Sequence, residues 1–328
     1  MPASYEKINY SLRPAKSIER KMLCDTFRRL SHFEKIESYR YVGFGSIYFS
    51  DFILFHKALG IKNMVSVEQD TENADRFNLN RPFQCINIEF GHSNEVLPSL
   101  DWNVRTILWL DYDGQLDKSV LTDIAHFCAN AVSGSIITVT VNAHTDTPDF
   151  SKLKQPYNAD EERNKFRFQC LIERVGAEKI PSDVSGKNLN QQEKANVYRR
   201  IITNEIDETL KDRNGGLEAE SKIQYKQLFN FHYQDGAKML TVGGLLYEKG
   251  ELDTVNKCGF EELSFIRTGD DPYLIEVPSL TYRELRYLDI QLPFEGDNIP
   301  QDVPIPEKDW KAYAKIYRYF PTFAETEI

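Results

Sequence analysis

Apolar residues near the start of the chain recur at the spacing of an α-helix. Pro14 suits the first turn of such a helix, and its apolar stripe consists of Ile18, Met22, Leu23, Phe27 and Leu30. Arginine and lysine residues occupy the opposite side of the stripe. We therefore interpret residues 1–40 as an N-terminal helical segment whose basic face is solvated.

Farther along, short β-branched runs alternate with helical patterns. The β-like runs are Tyr41–Val42, Asn63–Asp70, Cys85–Phe90, Thr106–Asp113 and Gly134–Ala143, and helices are predicted at Phe52–Leu59 and Leu116–Ala131. Strands of this length between helices predict βαβ units and a parallel sheet that is buried on both faces. Right-handed crossovers then produce a doubly wound α/β sheet.

The second half of the chain follows a different pattern. Residues 145–228 are polar with helical stretches, so we interpret them as a helical insertion. Lys238–Gly250 and Leu263–Thr281 return to β character, and we expect them to pair as an antiparallel hairpin at the edge of a mostly parallel sheet. A helix is predicted from Glu307 to Tyr319.

These patterns divide the chain into four parts. They are the helical segment 1–40, a sheet domain made of residues 41–144 and 229–285, the helical insertion 145–228 and a C-terminal extension 286–328. These patterns do not identify the substrate, because substrate specificity resides in loops and insertions rather than in the scaffold.

The formal net charge of −10 is unevenly distributed. Residues 1–40 hold nine Lys or Arg and five Asp or Glu, so the rest of the chain is strongly acidic. A protein that grips long nucleic acid through its phosphates is usually basic over a wide face. Nucleic acid is therefore a possible partner but not a favoured one.

Cysteine usage and the N-terminal sequence bear on the compartment. Five scattered cysteines without CxxC spacing predict neither a disulfide framework nor a zinc site. The N-terminus has no signal-peptide pattern, and no apolar run is long enough to cross a membrane. We therefore expect a cytoplasmic protein without a membrane partner, of unknown oligomeric state.

A Gly-X-Gly turn follows the first short strand, in the stretch VGFGS at Val42–Ser46. Glycines allow a tight reversal close to a ligand, and the helix that we expect next offers free amides. The candidate ligands are a dinucleotide, a nucleoside triphosphate, S-adenosylmethionine, or none. The lysine of a Walker loop is absent here, and Tyr48 replaces the third glycine of the dinucleotide fingerprint.

Glu68 strengthens the case for a nucleoside. It ends the next predicted strand, roughly twenty residues after Gly45, where a carboxylate can accept hydrogen bonds from both ribose hydroxyls. In a parallel sheet the strand ends at Gly43–Ser46, Glu68 and Asp111–Asp113 should converge on one edge. An adenosine ligand without a pyrophosphate fits this arrangement, and S-adenosylmethionine is such a ligand.

With these motifs the chain resembles the Rossmann-like (class I) S-adenosylmethionine-dependent methyltransferases. The stretches that carry the resemblance are VGFGS, SVEQD (Ser66–Asp70), EFGHSNEVL (Glu89–Leu97) and LWLDYDG (Leu108–Gly114), with a looser match of residues 238–281 to the final hairpin of that family. The resemblance implies a Rossmann-like sheet, S-adenosylmethionine as cofactor, and methyl transfer to an oxygen or nitrogen acceptor. The cofactor-binding residues that it implies are Gly43, Phe44, Gly45, Ser46, Glu68, Gln69, His92, Ser93 and Asp111.

The resemblance also assigns roles and shows departures from the family pattern. Gly43 and Gly45 would line the methionine and ribose, and Glu68 would bind the ribose diol. His92 stands where the family often has an aspartate that contacts the adenine amine, and Ile47 replaces a third glycine.

The residues at the end of the fourth predicted strand indicate which subfamily of these methyltransferases the chain resembles. The sequence Asp111-Tyr112-Asp113-Gly114 lacks the prolines that many amino-methylating nucleic-acid enzymes have there, and it looks closer to that of metal-dependent O-methyltransferases. Asn142 matches one metal ligand of those enzymes, but Val141 stands where they have a second aspartate. Hard cations require several oxygen ligands, so we predict no metal.

Asp111 and Asp113 are the catalytic candidates. Asp113 would act as a base or position the acceptor, and Asp111 would face the methionine amine or the acceptor. The alternative is that both cap the helix predicted at Leu116–Ala131. The N-terminal segment could also fold over the cofactor and bring Arg13 or Lys16 to its carboxylate.

Two other functions stay open at this point. One is a non-catalytic Rossmann-like module that binds a partner through residues 145–228. The other is an RNA-modifying methyltransferase that uses residues 1–40, including Arg28 and Arg29, as a basic face. The acidic remainder of the chain argues against the RNA enzyme, and the acceptor is unknown in every case.

Overall fold

The computed structural model describes residues 13–147, 159–187, 189, 191–294 and 303–321. Helices and strands are numbered in chain order within this part of the chain.

One eight-stranded sheet, in the order β3-β2-β1-β4-β5-β7-β6-β8, organises the described residues. Its strands are β1 (Arg40–Gly43), β2 (Asn63–Glu68), β3 (Ile86–Phe90), β4 (Thr106–Asp111), β5 (Ser135–Asn142), β6 (Ile223–Asp235), β7 (Ala237–Glu248) and β8 (Tyr273–Ile275). Strands β1 to β5 are mutually parallel, β7 runs antiparallel to β5 and β6, and β8 is parallel to β6. The strand order reverses between β1 and β4, which is where open α/β sheets bind their ligands.

Helices connect the strands and cover both faces of the sheet. They are α1 (Pro14–Arg28), α2 (Ser50–Leu59), α3 (Ala74–Asn80), α4 (Ser93–Val96), α5 (Lys118–Asn130), α6 (Ala159–Val175), α7 (Gln191–Arg213), α8 (Leu252–Lys257), α9 (Tyr282–Asp289) and α10 (Glu307–Ile316). Among the described residues, no helix has both the length and the apolar character that a membrane span requires.

The predicted fold class is confirmed. The sheet is doubly wound and mostly parallel, and the five predicted β-like runs of the first half form β1 to β5. The two helical stretches predicted within residues 145–228 form most of α6 and α7. The division of the chain into four domains stays a prediction.

The predicted partner of the hairpin strand is wrong. Strand β7 pairs with β6, which begins inside the segment that we interpreted as the helical insertion, and not with residues 263–281. Polar residues at alternate positions in the first half of β6, such as Gln224 and Lys226, made its composition resemble that of the insertion. The later segment supplies only the short edge strand β8, because Pro272 and Pro278 lack the amide that a longer ladder needs.

The core consists of two large apolar clusters on opposite faces of the sheet. Helices α1 and α2 pack on one face through aromatic contacts, with Phe27 and Phe55 at 5.3 Å and Tyr41 and Phe52 at 4.8 Å between ring centroids. Helices α5 and α7 cover the other face. Each buried aromatic side chain contributes about 1.5–3 kcal/mol to this packing, and the apolar stripe predicted on α1 is entirely buried.

The interpretation of the polar side of α1 as a solvated face is wrong for its first half. Lys16, Glu19 and Arg20 are all buried. Asp235, at the end of β6, accepts hydrogen bonds from the amide of Lys16 at 2.9 Å and that of Ala15 at 3.4 Å. These bonds satisfy free amides at the start of the helix and hold its first turn against the carboxyl edge of the sheet.

Candidate functional site

The register of the sheet brings the predicted site residues together. Gly43 lies opposite Ser66 of β2 and Trp109 of β4. Because side chains alternate between faces, the next residues on the same face are Glu68 and Asp111. Two interstrand spacings, about 9–10 Å, separate β2 from β4 across β1. We call the carboxyl ends of β2, β1 and β4 the rim, and the predicted convergence on it is confirmed.

The two glycines of the turn are required by packing beneath it. A Cβ atom on Gly43 would lie 2.5 Å from the hydroxyl oxygen of Tyr41, and one on Gly45 would lie 2.6 Å from Oγ of Ser66. The amide of Gly45 donates to that same Oγ at 3.1 Å. Ser46 follows with a left-handed backbone, φ 45°, which costs about 1–2 kcal/mol in a residue other than glycine. The turn is thus fixed from below and presents its backbone at the rim.

The helix after the turn begins at Ser50, two residues before the predicted start at Phe52. Residues 46–49 form a separate turn, and α2 begins at Ser50, with Phe49 in the left-handed region at φ 47°. The buried carboxylate of Asp51 occupies the first turn of the helix and accepts a hydrogen bond from Tyr41. Burial raises the pKa of Asp51. A short turn and a buried carboxylate therefore stand between the glycines and the body of the helix that we expected to offer free amides.

Glu68 lies half-buried at the end of β2. Its Oε1 accepts a hydrogen bond from the amide of Asp70 at 3.1 Å, and its carbonyl accepts one from Gly91 at 3.0 Å. Burial raises the pKa of its carboxyl group to about 7, and the negative charges of Asp70 and Asp113 act in the same direction. The carboxylate is poorly solvated, so additional hydrogen-bond donors would favour its ionised form. The neighbouring Gln69 is exposed.

Asp111 is held by a buried ammonium group. Nζ of Lys16 lies 2.6 Å from Oδ1 of Asp111, 2.8 Å from Glu19 and 3.1 Å from the hydroxyl of Tyr233. These three oxygens match the three donors of an ammonium group. The geometry therefore does not support the expectation that Lys16 binds a cofactor carboxylate. Burial raises the pKa of Glu19.

The alternative that Asp111 and Asp113 cap the following helix is wrong. Helix α5 begins at Lys118, and its N-cap is Asp117, whose carboxylate accepts from the amide of Val120 at 3.1 Å. Asp113 is exposed beyond the end of β4. Neither candidate caps the helix, and both stay predicted site residues.

The loop after β3 and the start of α4 contribute His92 and Ser93. His92 is exposed and precedes the first turn of α4, whereas Ser93 is buried with its Oγ 3.5 Å from the hydroxyl of Tyr112. The Tyr112 hydroxyl donates to the buried carboxylate of Asp123, and its ring packs edge-to-face on Phe44 at 5.1 Å. Sequence reasoning missed Tyr112 and Asp123, because no motif signals a contact between a strand end and the next helix.

The residues that occupy the metal-ligand positions of metal-dependent O-methyltransferases make other contacts in this structure. Oδ1 of Asn142 accepts from the amide of His144 at 2.8 Å, Val141 is buried in the core, and Asp111 pairs with Lys16. Within the described residues, His, Cys, Asp and Glu do not gather in a group of three or more that could hold a metal ion.

The comparison with protein families decides the identity of the chain. A family model described as "Putative O-methyltransferase" matches residues 8–328. The chain belongs to this family. It is a methyltransferase of the Rossmann-like class that uses S-adenosylmethionine, as the sequence resemblance implied.

Several solved structures resemble this methyltransferase at low sequence identity. Trm1 from Pyrococcus horikoshii, solved with S-adenosyl-L-methionine, is 10% identical with a TM-score of 0.45 over 83% of this chain and 67% of its own. A LepI variant, solved with SAH and a substrate analogue, is 11% identical with a TM-score of 0.34 over 63% and 43%. PigF with SAH is 11% identical with a TM-score of 0.33 over 70% and 64%. No curated protein matches the chain.

Proposed function

We propose that this methyltransferase transfers the methyl group of S-adenosylmethionine to an oxygen atom of its acceptor, with the adenosyl group seated on the rim. The observation that carries the proposal is the register that sets Glu68 and Asp111 on either side of the Gly43 strand, where the strand order reverses. The description of the family supports oxygen as the acceptor atom.

Glu68 is the proposed ligand of the ribose. Burial raises the pKa of this half-buried carboxyl group to about 7. Two ribose hydroxyl groups would stabilise its ionised form, because they replace the water that burial removed. The turn at Gly43, Phe44, Gly45 and Ser46 forms the adjacent wall, and Gln69 lies next to the carboxylate at the solvent boundary.

The β3–α4 loop is the proposed adenine side. The Ser93 hydroxyl and the exposed His92 border it, and the Phe44 ring, packed on Tyr112, supplies an apolar surface beside them. Asp123 fixes Tyr112 through a hydrogen bond to its hydroxyl. These residues fit a flat, hydrogen-bonding base.

Asp111 and Asp113 are the proposed groups at the reacting end. S-adenosylmethionine supplies an electrophilic methyl group, and transfer depends mainly on aligning the acceptor oxygen with it. Asp111 is held in place by Lys16 through Oδ1 and would orient the methionine amine or the acceptor. Asp113, exposed at the rim, would take the proton from the acceptor hydroxyl.

Calorimetry with S-adenosylmethionine and S-adenosylhomocysteine at pH 8 tests the cofactor site. Glu68→Ala should weaken binding by about 2–4 kcal/mol, the contribution of one or two hydrogen bonds to a charged group. Glu89→Ala is the matched control, because Glu89 is an exposed carboxylate on the neighbouring strand β3. Unchanged affinity in Glu68→Ala would remove the ribose role, and no binding by the wild-type protein would remove the proposed site altogether.

The RNA-modifying alternative has less support. An RNA enzyme would use Arg28 and Arg29, yet the guanidinium of Arg29 donates to the carbonyls of Cys258 and Gly259 and pairs with Glu262 at 2.8 Å. Only Arg28 of the two is exposed. We therefore propose an acceptor other than nucleic acid, and a cytoplasmic location in keeping with the five free cysteines.

A further inference from the structure

The carboxyl edge of the sheet extends beyond the rim to the antiparallel strands. Asn142 of β5 lies opposite Met239 of β7, which lies opposite Tyr233 of β6, which in turn lies opposite Ile275 of β8. Because β7 runs in the reverse direction, its first residues reach the same edge as the last residues of the other strands. Asp111 is on the strand next to β5, so the row begins about 5 Å from the β4 end of the rim.

A cavity of about 820 Å³ stands on this row of residues. It begins at Ala143, directly after β5, and its floor includes Met239, Tyr233 and Ile275. Small-molecule sites usually enclose about 300–1,000 Å³. The size therefore suits an acceptor of ordinary metabolite dimensions.

Apolar and polar side chains line the cavity in similar measure, with no surplus of positive charge. Leu274, Val277 and two prolines stand beside the floor residues, and the charged lining groups are Asp270, Asp271, Glu276, Asp309, Lys238 and Lys308. Asp270 already pairs with Arg199. Burial, and secondarily the charge of Arg199, lowers the pKa of the lining residue His232 to about 4, so this imidazole is neutral at pH 7. Such a lining does not attract a polyanion.

A chain of contacts joins the cavity to the reacting end of the rim. Tyr233 lines the cavity, and its hydroxyl contacts Nζ of Lys16 at 3.1 Å. The same Nζ holds Asp111 at 2.6 Å. The cavity therefore stands on the same edge of the sheet as Asp111 and is connected to it through the side chains of Tyr233 and Lys16.

We propose that this cavity binds the methyl acceptor, and that the acceptor is a small uncharged or cationic molecule with an apolar part and a hydroxyl group. The inference rests on the proposed function, because it assigns the acceptor to a cavity on the same edge. In the reaction the acceptor oxygen forms a bond to the methyl carbon, the carbon–sulfur bond breaks toward sulfur, and the hydroxyl proton passes to a base.

Leu274 offers a way to obstruct the cavity at low cost to the fold. Its side chain is 52% exposed on the edge strand β8, so Leu274→Trp adds volume at the mouth without displacing core residues. Leu79→Trp is the matched control, because Leu79 is 84% exposed on α3, away from the cavity lining. Calorimetry with S-adenosylhomocysteine should give the same affinity, within about twofold, for both variants and the wild-type protein.

The transfer itself can be followed with methyl-tritiated S-adenosylmethionine. The full-length protein is incubated with an extract of the source organism that has been separated into small-molecule, RNA and protein fractions. We expect label in the small-molecule fraction, at least a tenfold loss with Leu274→Trp, and wild-type incorporation with Leu79→Trp. Charge reversal by Glu276→Lys then separates a cationic acceptor, whose labelling falls, from an uncharged one, whose labelling persists.

The outcomes separate this inference from the proposed function. Failure to bind S-adenosylhomocysteine would defeat the proposed function itself. Normal binding with label in RNA or protein, or in no fraction at all, would overturn the small-molecule acceptor and leave the cofactor site intact. Small-molecule labelling that Leu274→Trp leaves unchanged would show that the acceptor binds elsewhere.

Discussion

Replacing Glu68 with glutamine should stabilise the fold and weaken cofactor binding at the same time. The substitution keeps the shape of the side chain and an oxygen that can accept from the amide of Asp70, but it removes the charge. Burial raises the pKa of this carboxyl group from 4.5 to about 7. The folded protein therefore pays a free-energy cost for ionising Glu68, and the neutral amide does not.

The magnitude follows from the pKa shift. A rise from 4.5 to about 7 corresponds to at most about 3.4 kcal/mol, at about 1.36 kcal/mol per pKa unit. Because Glu68 is partly exposed to solvent, we expect about 1–2 kcal/mol after screening. A raised acid pKa means that the native state binds the proton more tightly than the unfolded state. The wild-type protein thus loses this contribution as the pH rises from 4.5 to 7.

Urea unfolding of both proteins between pH 4.5 and pH 8.5 measures the effect. The stability advantage of Glu68→Gln should grow from pH 4.5 to about pH 7 and then stay level, since above that pH the wild-type carboxylate is ionised in both states. Calorimetry at pH 8 should show weaker binding of S-adenosylhomocysteine to the same variant. An advantage that does not change with pH, or one that shrinks as the pH rises, would refute the reasoning about burial.

Two further substitutions test the contacts beneath the rim. Lys16→Met should lower the free energy of unfolding by about 3–5 kcal/mol, because it leaves the partly buried Asp111 and the buried Glu19 without their cation. Urea unfolding checks this against the control Lys21→Met, which removes an ammonium group that donates to a backbone carbonyl at 3.2 Å. Equal losses in both variants would contradict the reasoning. Tyr112→Phe should lower the free energy of unfolding by about 1–3 kcal/mol, since the buried carboxylate of Asp123 loses a hydrogen-bond donor. Thermal unfolding measures the loss. An unchanged midpoint temperature would show that the hydrogen bond contributes nothing to stability.

The parallel half of the sheet could be predicted from sequence because each strand carries its own signal. The runs that form β2, β4 and β5 are apolar, rich in β-branched residues and bounded by polar turns, and both faces of a parallel sheet are buried. Once their order is set by right-handed crossovers, the carboxyl ends must share one edge. The positions of Glu68 and Asp111 relative to Gly43 follow from that topology alone.

The contacts beneath the rim could not be predicted in this way. Lys16 and Asp111 are far apart in the sequence, and a lysine on a helix has no feature that distinguishes a solvated side chain from a buried one. Packing also requires the two glycines, because a larger side chain would collide with Tyr41 and Ser66. This reason could not be read from the motif, since Tyr41 and Ser66 lie outside the Gly-X-Gly pattern. Burial and partner choice depend on tertiary packing, which periodicity does not encode.

The reversed strand β7 explains how the two halves of the edge come to cooperate. Since β7 is antiparallel to its neighbours, the tight turn between β6 and β7 lies at the carboxyl edge. That turn places Asp235 where it binds the first amides of α1, and the bound helix carries Lys16 to Asp111. The same strand pair supplies Tyr233 and Met239 to the cavity floor. One hairpin therefore fixes both the ammonium group at the reacting end and the proposed acceptor cavity, so a change in its register would disturb both at once.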